Sequence, residues 1–372
     1  MHIPSYPPEL EAHWVEVARA ETRSIALRDV LHRIEPDIVR MANRFTTERP
    51  EASAPAAAPY LRDTRSCAAY SLFFAPQTHA RLTHLLAELP PIPDTPKPLR
   101  VLDLGCGTGA ASWALLDQLG SRPVALTAWD QSRPALRCLH DLFSDLRRAR
   151  WPEATLRTQP ASLDDFAAAS EEYDVILIHY VLNELSPDAR RLLLSRAGRS
   201  LAPGGRLIVC EPLLHEEGDY MRDLRAYALG DLGLHLLAPC PHAEDCPLDG
   251  PCHDVRTWKI SQALQILNNT LRRDLRHLAY ALLVLTPEAQ PASETLCARL
   301  VGSPTHAKGQ TTGPACCPDG QVHRLQLLHR DFSTTGRKQL RHLERGQRIH
   351  LKSITPLGDP TLFRATPATD EI

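Results

Sequence analysis

Residues 101–115, VLDLGCGTGAASWAL, constrain this chain more than any other stretch. A short apolar run ends near an acid, Asp103, passes Gly105, Gly107 and Gly109, and enters an amphipathic segment. That is the pattern of a strand turning sharply into a helix. Glycine admits the backbone conformations of such a turn and lets a ligand approach the main chain, while the first N–H groups of the following helix lack intrahelical partners. The same alternation continues on both sides. Apolar runs occur at LRVLDL, PVALTAWD, ATLRTQ, YDVILIHYVL and GRLIVCEP, with helical spacing near 110–120, 133–148, 187–200 and 219–231. A succession of this kind predicts an α/β fold with a mostly parallel sheet covered on both faces. LHLLAP (234–239) and LAYALLVL (278–285) supply a sixth and a seventh strand.

The flanking regions read differently. Residues 9–44 and about 68–89 carry apolar positions at helical spacing, separated by the Pro/Ala-rich linker ERPEASAPAAAP (48–59) and closed by PPIPDTPKP (90–98). PEAQPASET (287–295) reads as a second linker, and Ala298–Leu351 has short alternating runs with Gly/Pro turns, as a small β-rich appendage would. Three segments follow: an N-terminal helical extension (1–97), a sheet domain (98–286) with a Cys-rich insertion at 238–258, and a basic β-rich domain (287–372). Ten Lys and Arg face three Asp and Glu between Arg299 and Lys352, whereas the whole chain has a net charge of −2. A basic tail on a more acidic body fits a nucleic-acid partner, with a solvated basic face as the plain alternative. No apolar run reaches the length of a membrane span, and MHIPSYPPELEAHWVEVARAE has early acids and no signal-peptide core, so the expectation is a cytoplasmic protein without a membrane partner.

In that setting, clustered cysteines read as metal ligands rather than disulfides. In APCPHAEDCPLDGPCHDVRTW (238–258), Cys240, Cys246 and Cys252 recur with five residues between each pair. Thiolates suit zinc or iron–sulfur clusters, and a fourth is available from Cys316 or Cys317 in ACCPDG (315–320). The spacing is not the paired C-x2-C pattern of zinc knuckles, which favours a [4Fe–4S] cluster with zinc as the alternative; His242 and His253 are then loop residues or, for zinc, replacement ligands. Cys106, Cys138 and Cys210 read as small buried hydrophobes, while Cys67 and Cys297 show no partner pattern.

The set DLGCGTG, TAWD (127–130), ASLDDF (161–166), YDVILIHYVLNEL (173–185) and LAPGGRLIVCEP (201–212) resembles the class I S-adenosylmethionine-dependent methyltransferases, whose sheet is Rossmann-like. The resemblance implies a cofactor held by Asp103, Gly105, Gly107, Gly109 and Asp130, the last toward the ribose, with Asp164 or Asp165 at the adenine amino group. Trp129 and Leu163 either sandwich the adenine or pack the strand end. His179, Tyr180, Asn183 and Glu184 fall where such enzymes present the acceptor. Asn183 and Glu184 are the catalytic candidates, Glu184 as a base or as a plain helix-start carboxylate. An Asn-Pro-Pro-aromatic element is absent, which leaves the acceptor chemistry open.

With APCPH…CPL…CH, ARLVGSP, CCPDGQV and the upstream PYLRDTRSCAAYSLFFAPQTHARLTHLLAEL (59–89), the chain also resembles the methyltransferase-like assembly factors of the mitochondrial ribosomal small subunit and their bacterial relatives, from Pro59 to Leu351. That resemblance implies S-adenosylmethionine binding, a four-cysteine iron–sulfur cluster on Cys240, Cys246, Cys252 and one of Cys316 or Cys317, and association with small-subunit rRNA. CHDVRTW and CEPLLHEEGD depart from the family's usual aromatic after the histidine and its glycine-rich turn; the missing presequence points to a bacterial member. GRKQLRHLERGQRIHLK (336–352) offers cations with few aromatics, suited to RNA backbone rather than base stacking. Three functions compete: methyl transfer to rRNA or a ribosomal protein, a non-catalytic assembly scaffold, and a small-molecule methyltransferase with structural zinc.

Overall fold

The computed structural model describes residues 3–45, 60–167, 171–213, 220–289, 295–359 and 361–369. The linker expected at 48–59 and most of CEPLLHEEGD beyond Leu213 lie outside the described residues, as do 290–294 of the second linker. In chain order the elements are α1 (Pro8–Thr22), α2 (Leu27–Phe45), α3 (Thr64–Phe73), α4 (Ala75–Glu88), β1 (Leu99–Leu104), α5 (Ala110–Leu119), β2 (Val124–Asp130), α6 (Arg133–Arg150), β3 (Ala154–Pro160), β4 (Tyr173–His179), α7 (Pro187–Arg199) and β5 (Leu201–Pro212). Then come α8 (Tyr220–Gly230), β6 (His235–Ala238), β7 (Asp254–Thr257), α9 (Gln262–Thr270), β8 (His277–Thr286), β9 (Leu296–Leu300), β10 (Thr305–Ala307), β11 (Gln310–Cys316), β12 (Val322–Leu328), α10 (Thr334–Leu340), β13 (Arg348–Pro356) and β14 (Leu362–Pro367). Two compact units divide the chain, one up to Val209 with Thr257–Leu278, the other Cys210–Arg256 with the chain from Ala279 onward.

In the first unit, β1 pairs in parallel with β2 and β4, and β2 with β3. The register sets Leu104 opposite Trp129 and Ile178, and Trp129 opposite Gln159, so the carboxyl ends of all four strands finish at one edge. In an open parallel sheet that edge is where ligands bind. Sequence-coded caps start the helices around it. Ser132 accepts from the Ala135 N–H at the head of α6, Ser186 does so from Ala189 for α7, and Asp63 and Ser66 form a reciprocal capping box on α3. Below the edge, Trp113, Phe143 and Trp151 stack with nearly parallel planes in the buried core.

The helical extension is present but more broken than its periodicity implies. Residues 9–44 form two helices, because Arg23 takes φ 51 and terminates α1. The 68–89 pattern is likewise split at Phe74, with proline just inside the start of α4.

In the second unit, β6 and β8 are the expected sixth and seventh strands and run antiparallel, with Leu236 opposite Leu285. Strand β7, which the sequence reading omitted, also pairs with β8. The appendage is β-rich: β10-β11-β12-β14-β13-β9, with an additional β11–β9 pairing that closes five of the strands into a barrel-like ring. Ala298, Leu300, Ala315, Cys317, Leu325 and Leu327 fill it together with Phe332, Leu340, Ile349, Leu351 and Ala365. The basic stretch 336–352 starts within a helix, α10, capped by Ser333.

Candidate cofactor and acceptor site

Gly105, Gly107 and Gly109 all have positive φ, at 74, 53 and 87°. The first and last have no room for a side chain. A Cβ on Gly105 would lie 2.4 Å from Val181 Cγ2, and one on Gly109 2.6 Å from the Trp113 ring. The glycine turn therefore abuts the segment leaving β4. Asp103 is buried and accepts the Ser112 hydroxyl at 2.6 Å. Burial pushes its pKa up to about 7, with the neighbouring Asp130 adding to the rise. Asp130 accepts the Gly107 N–H at 2.8 Å and the Ser132 N–H at 2.7 Å, and burial raises its pKa too. A carboxylate has about four lone-pair directions, so two N–H donors leave capacity for sugar hydroxyls. The α5 N-terminus has no side-chain cap, which leaves its first N–H groups available.

The two further acids differ from each other. Both are exposed, but Asp165 accepts the Ser162 N–H in a capping box of a short 3-10 turn, while Asp164 donates its own N–H to the Ser162 hydroxyl. Trp129 donates to the Ser162 carbonyl at 3.1 Å and meets Phe166 edge to face. His179, the last residue of β4, is buried; just past it Tyr180 has φ 60, and Asn183 is half-buried. Glu184 is exposed on a 3-10 turn just ahead of Ser186, which caps α7.

Sequence reasoning missed the contribution of the helical extension. Leu61 Cδ1 lies 3.6 Å from a Cβ placed on Gly107, and the Leu61 carbonyl accepts from Ser132 Oγ at 2.6 Å. Ser71 donates to Thr108 at 2.8 Å. Tyr60 and Tyr70, with rings 6.0 Å apart, both feel the charges of Glu184 and Asp130. The signal was PYLRDTRSCAAY itself: three aromatic or apolar positions beside a capping box, legible as a helix start but not as a wall of the site.

Within the second unit, the cysteine loop runs from β6 to β7. Arg225 of α8 donates to the His242 and Glu244 carbonyls at 3.0 and 2.7 Å, and Arg222 to the Leu248 carbonyl. Cys316 is buried, and its pKa is pushed up to about 12 by burial and then by Cys240, Cys252 and Cys246. His242 Nε2 lies 3.1 Å from its sulfur. Cys317 instead packs in the ring core and donates to the Ala315 carbonyl. Among the described residues, no three His, Cys, Asp or Glu side chains are grouped so as to hold a metal ion. Beside the loop, Asp254, Arg256 and Arg299 are each 2% exposed. Asp254 pairs with both arginines, and Arg299 also donates to Cys252 Sγ. Burial alone would lower the Arg299 pKa, but Cys252, Asp254 and Cys240 outweigh it and raise it. Cys106, Cys138 and Cys210 are buried as expected, and so is Cys67.

Not all of the basic appendage faces water. Lys308, Arg324, Arg330, Arg337, Lys338, Arg341 and Lys352 are exposed. Arg299, Arg345 and Arg348 turn inward, the last two to the His253 carbonyl and to Cys297.

Residues 64–348, from the first residue of α3 to the first of β13, match the family described as mitochondrial small ribosomal subunit Rsm22. The chain belongs to this family. Its sheet is class I methyltransferase-like, and curated relatives match only part of the chain. The carboxy-S-adenosyl-L-methionine synthase of Shewanella amazonensis is 32% identical over 113 residues, 30% of this chain and 44% of that protein. That of Helicobacter pylori strain Shi470 is 30% identical over 122 residues, 33% and 46%. The chain thus spans under half the length of these relatives. Among solved structures, a TehB-like SAM-dependent methyltransferase from Corynebacterium glutamicum is 18% identical with a TM-score of 0.33, covering 57% of this chain and 88% of that one. A Leishmania major SAM-dependent methyltransferase is 11% identical with a TM-score of 0.38, covering 72% and 89%. No helix among the described residues is long and apolar enough to cross a membrane.

Proposed function

We propose that this Rsm22-family chain binds S-adenosylmethionine and acts as a methyltransferase-like factor on the small ribosomal subunit, with rRNA or a ribosomal protein as its target. The observation that carries this is the β1–α5 turn, in which three positive-φ glycines and the Asp130 carboxylate sit at the carboxyl edge of a parallel sheet. The residues fit the cofactor: Asp130 retains acceptor capacity for the ribose, the uncapped α5 N-terminus suits a carboxylate, and Gly105, Gly107 and Gly109 keep the main chain bare. Asp103 borders that turn, Asp164 and Asp165 remain the adenine candidates, and Asn183 and Glu184 the acceptor-side candidates. When bound, the cofactor supplies an electrophilic methyl group; this chain's part is positioning, which alone accounts for much of such a rate enhancement.

For the sulfur-rich loop we favour a [4Fe–4S] cluster on Cys240, Cys246, Cys252 and Cys316, with zinc as the alternative. Support comes from donor chemistry: Cys240, Cys246 and Cys252 lie within electrostatic reach of Cys316, with a buried guanidinium beside Cys252. Such a group would tie the loop to β11. Cys317, committed to the ring core, is the weaker candidate for fourth ligand. Exposed Arg337, Lys338 and Arg341 suit RNA phosphates, and a large cored chain with ten cysteines suits a reducing cytoplasm. A scaffold without catalysis is the second reading, favoured by Leu61 lying over Gly107.

The test is S-adenosylhomocysteine binding by calorimetry together with transfer of labelled methyl to immature small subunits. Wild type is expected to do both, and Gly105→Ala, whose Cβ collides with Val181, to lose binding by at least tenfold. Binding without any methylation selects the scaffold; absence of binding overturns the cofactor reading. Iron, sulfide and zinc content of anaerobically purified protein decides the metal.

A further inference from the structure

Three observations coincide at the carboxyl end of β4. His179 is 6% exposed, and neither ring nitrogen has a hydrogen-bond partner among the described residues. Tyr180 beside it takes φ 60, a left-handed backbone seldom adopted by an aromatic residue and concentrated at functional sites. Arg81, reaching from α4, sets its guanidinium 5.1 Å from the Tyr180 ring centroid, and its own Nε is buried without a partner. Folded proteins pair almost all buried polar atoms, so an imidazole with both nitrogens unmatched is an exception that calls for a ligand. Burial, reinforced by Arg81, pulls the His179 pKa down to about 3. The ring is therefore neutral, with one donor and one acceptor.

The surroundings narrow the ligand. Val181, two residues on, packs against the Gly105 turn, so this segment adjoins the cofactor loop. The aromatic face on Arg81 is that of Tyr180, and Tyr70 feels the Arg81 charge as well as those of Glu184 and Asp130. We infer that His179 and Arg81 are the recognition groups of a pocket for the flat heterocycle of an RNA base. A base offers a donor and acceptor edge to the imidazole and a π-face to tyrosine and guanidinium. A lysine or arginine acceptor would instead bring a positive charge toward Arg81. This inference rests on the cofactor reading above and names the substrate class for it.

The experiment titrates the full-length chain, saturated with S-adenosylhomocysteine, with the four ribonucleosides and with Nα-acetyl-lysine amide. Nucleosides carry no phosphate, so the basic appendage does not contribute. At least one nucleoside is expected to bind. His179→Phe is expected to weaken it at least tenfold and Arg81→Gln several-fold, with S-adenosylhomocysteine affinity unchanged. Because His179 has no hydrogen-bond partner to lose among the described residues, His179→Phe is also expected to raise the melting temperature by about 2–4 °C. A structural histidine would do the reverse. The inference is overturned if no nucleoside binds, if binding survives both variants, if the phenylalanine variant melts lower, or if the lysine amide binds better than every nucleoside. Loss of S-adenosylhomocysteine binding in wild type would remove the cofactor reading first, and this one with it.

Discussion

Two buried polar regions of this molecule are built in opposite ways. Around Asp254, opposite charges are paired: Arg256 and Arg299 close on one carboxylate, and a Cβ on Gly346, which has φ 97, would come within 2.1 Å of it. At the end of β4, His179 is buried as deeply in practice but unmatched, and Tyr180 is held in a left-handed conformation. The difference separates polar groups that hold a fold from polar groups kept ready for something else. The first kind are costly to remove, because the partner is left buried and charged. The second are costly to keep, because an unsatisfied buried group destabilises by about 1–3 kcal/mol.

That contrast breaks most readily at Asp254. Asp254→Ala is expected to destabilise the second unit by about 3–5 kcal/mol, by stranding Arg299. All five tryptophans lie in the first unit, so fluorescence is blind to the change. Faster hydrogen exchange in peptides from β9 to β13 is the measurement, and unchanged exchange would place the node among dispensable contacts. Gly346→Ala should cost about 1–3 kcal/mol from its backbone conformation, and more from collision with Asp254. If the two variants combined cost less than their sum, glycine and carboxylate act as one unit.

The smallest effect sharpens the other side. Asp103 has a folded-state pKa of about 7, above its unfolded value, so its contribution is full at low pH and is lost as pH rises toward 7. His179 is depressed to about 3, so its contribution is present above its unfolded value near 6.5 and is lost as pH falls toward 3. Between about pH 4 and 6.5 the two oppose each other. Relative to wild type, Asp103→Asn is expected to make stability rise more steeply with pH across this window, and His179→Phe to make it fall. The slopes come from urea denaturation at a series of pH values, each a fraction of the roughly 1.4 kcal/mol per pH unit that one full proton gives. Parallel profiles would mean that neither group is desolvated as described.

Much of this was legible in the sequence wherever a local rule applied. Glycines between an apolar run and a helix marked the β1–α5 turn, helical spacing marked α6 and α7, and apolar runs marked the strands. What stayed hidden depends on distance along the chain. Arg81 precedes His179 by nearly a hundred positions, and Asp254 meets Arg299 across 45, separations that periodicity does not connect. Cys316 and Cys317 are adjacent and chemically identical; only the register of β11 against β9 and β12 sends one toward the other thiols and the other into the core. The basic tail misled in part, because Arg299, Arg345 and Arg348 are spent on internal contacts that a charge count does not see.

The ring of the appendage has its own consequence for the order in which the protein is made. Strand β14 runs parallel to β12 and antiparallel to β13, and it lies between them. During translation β9, β11, β12 and β13 all emerge while that slot is empty, exposing the facing edges of β12 and β13. Only when residues 362–367 leave the ribosome is the ring complete and Ala365 seated in its core. Nascent chains halted before that point carry open strand edges, the condition in which a folding chaperone or a neighbouring nascent chain finds purchase.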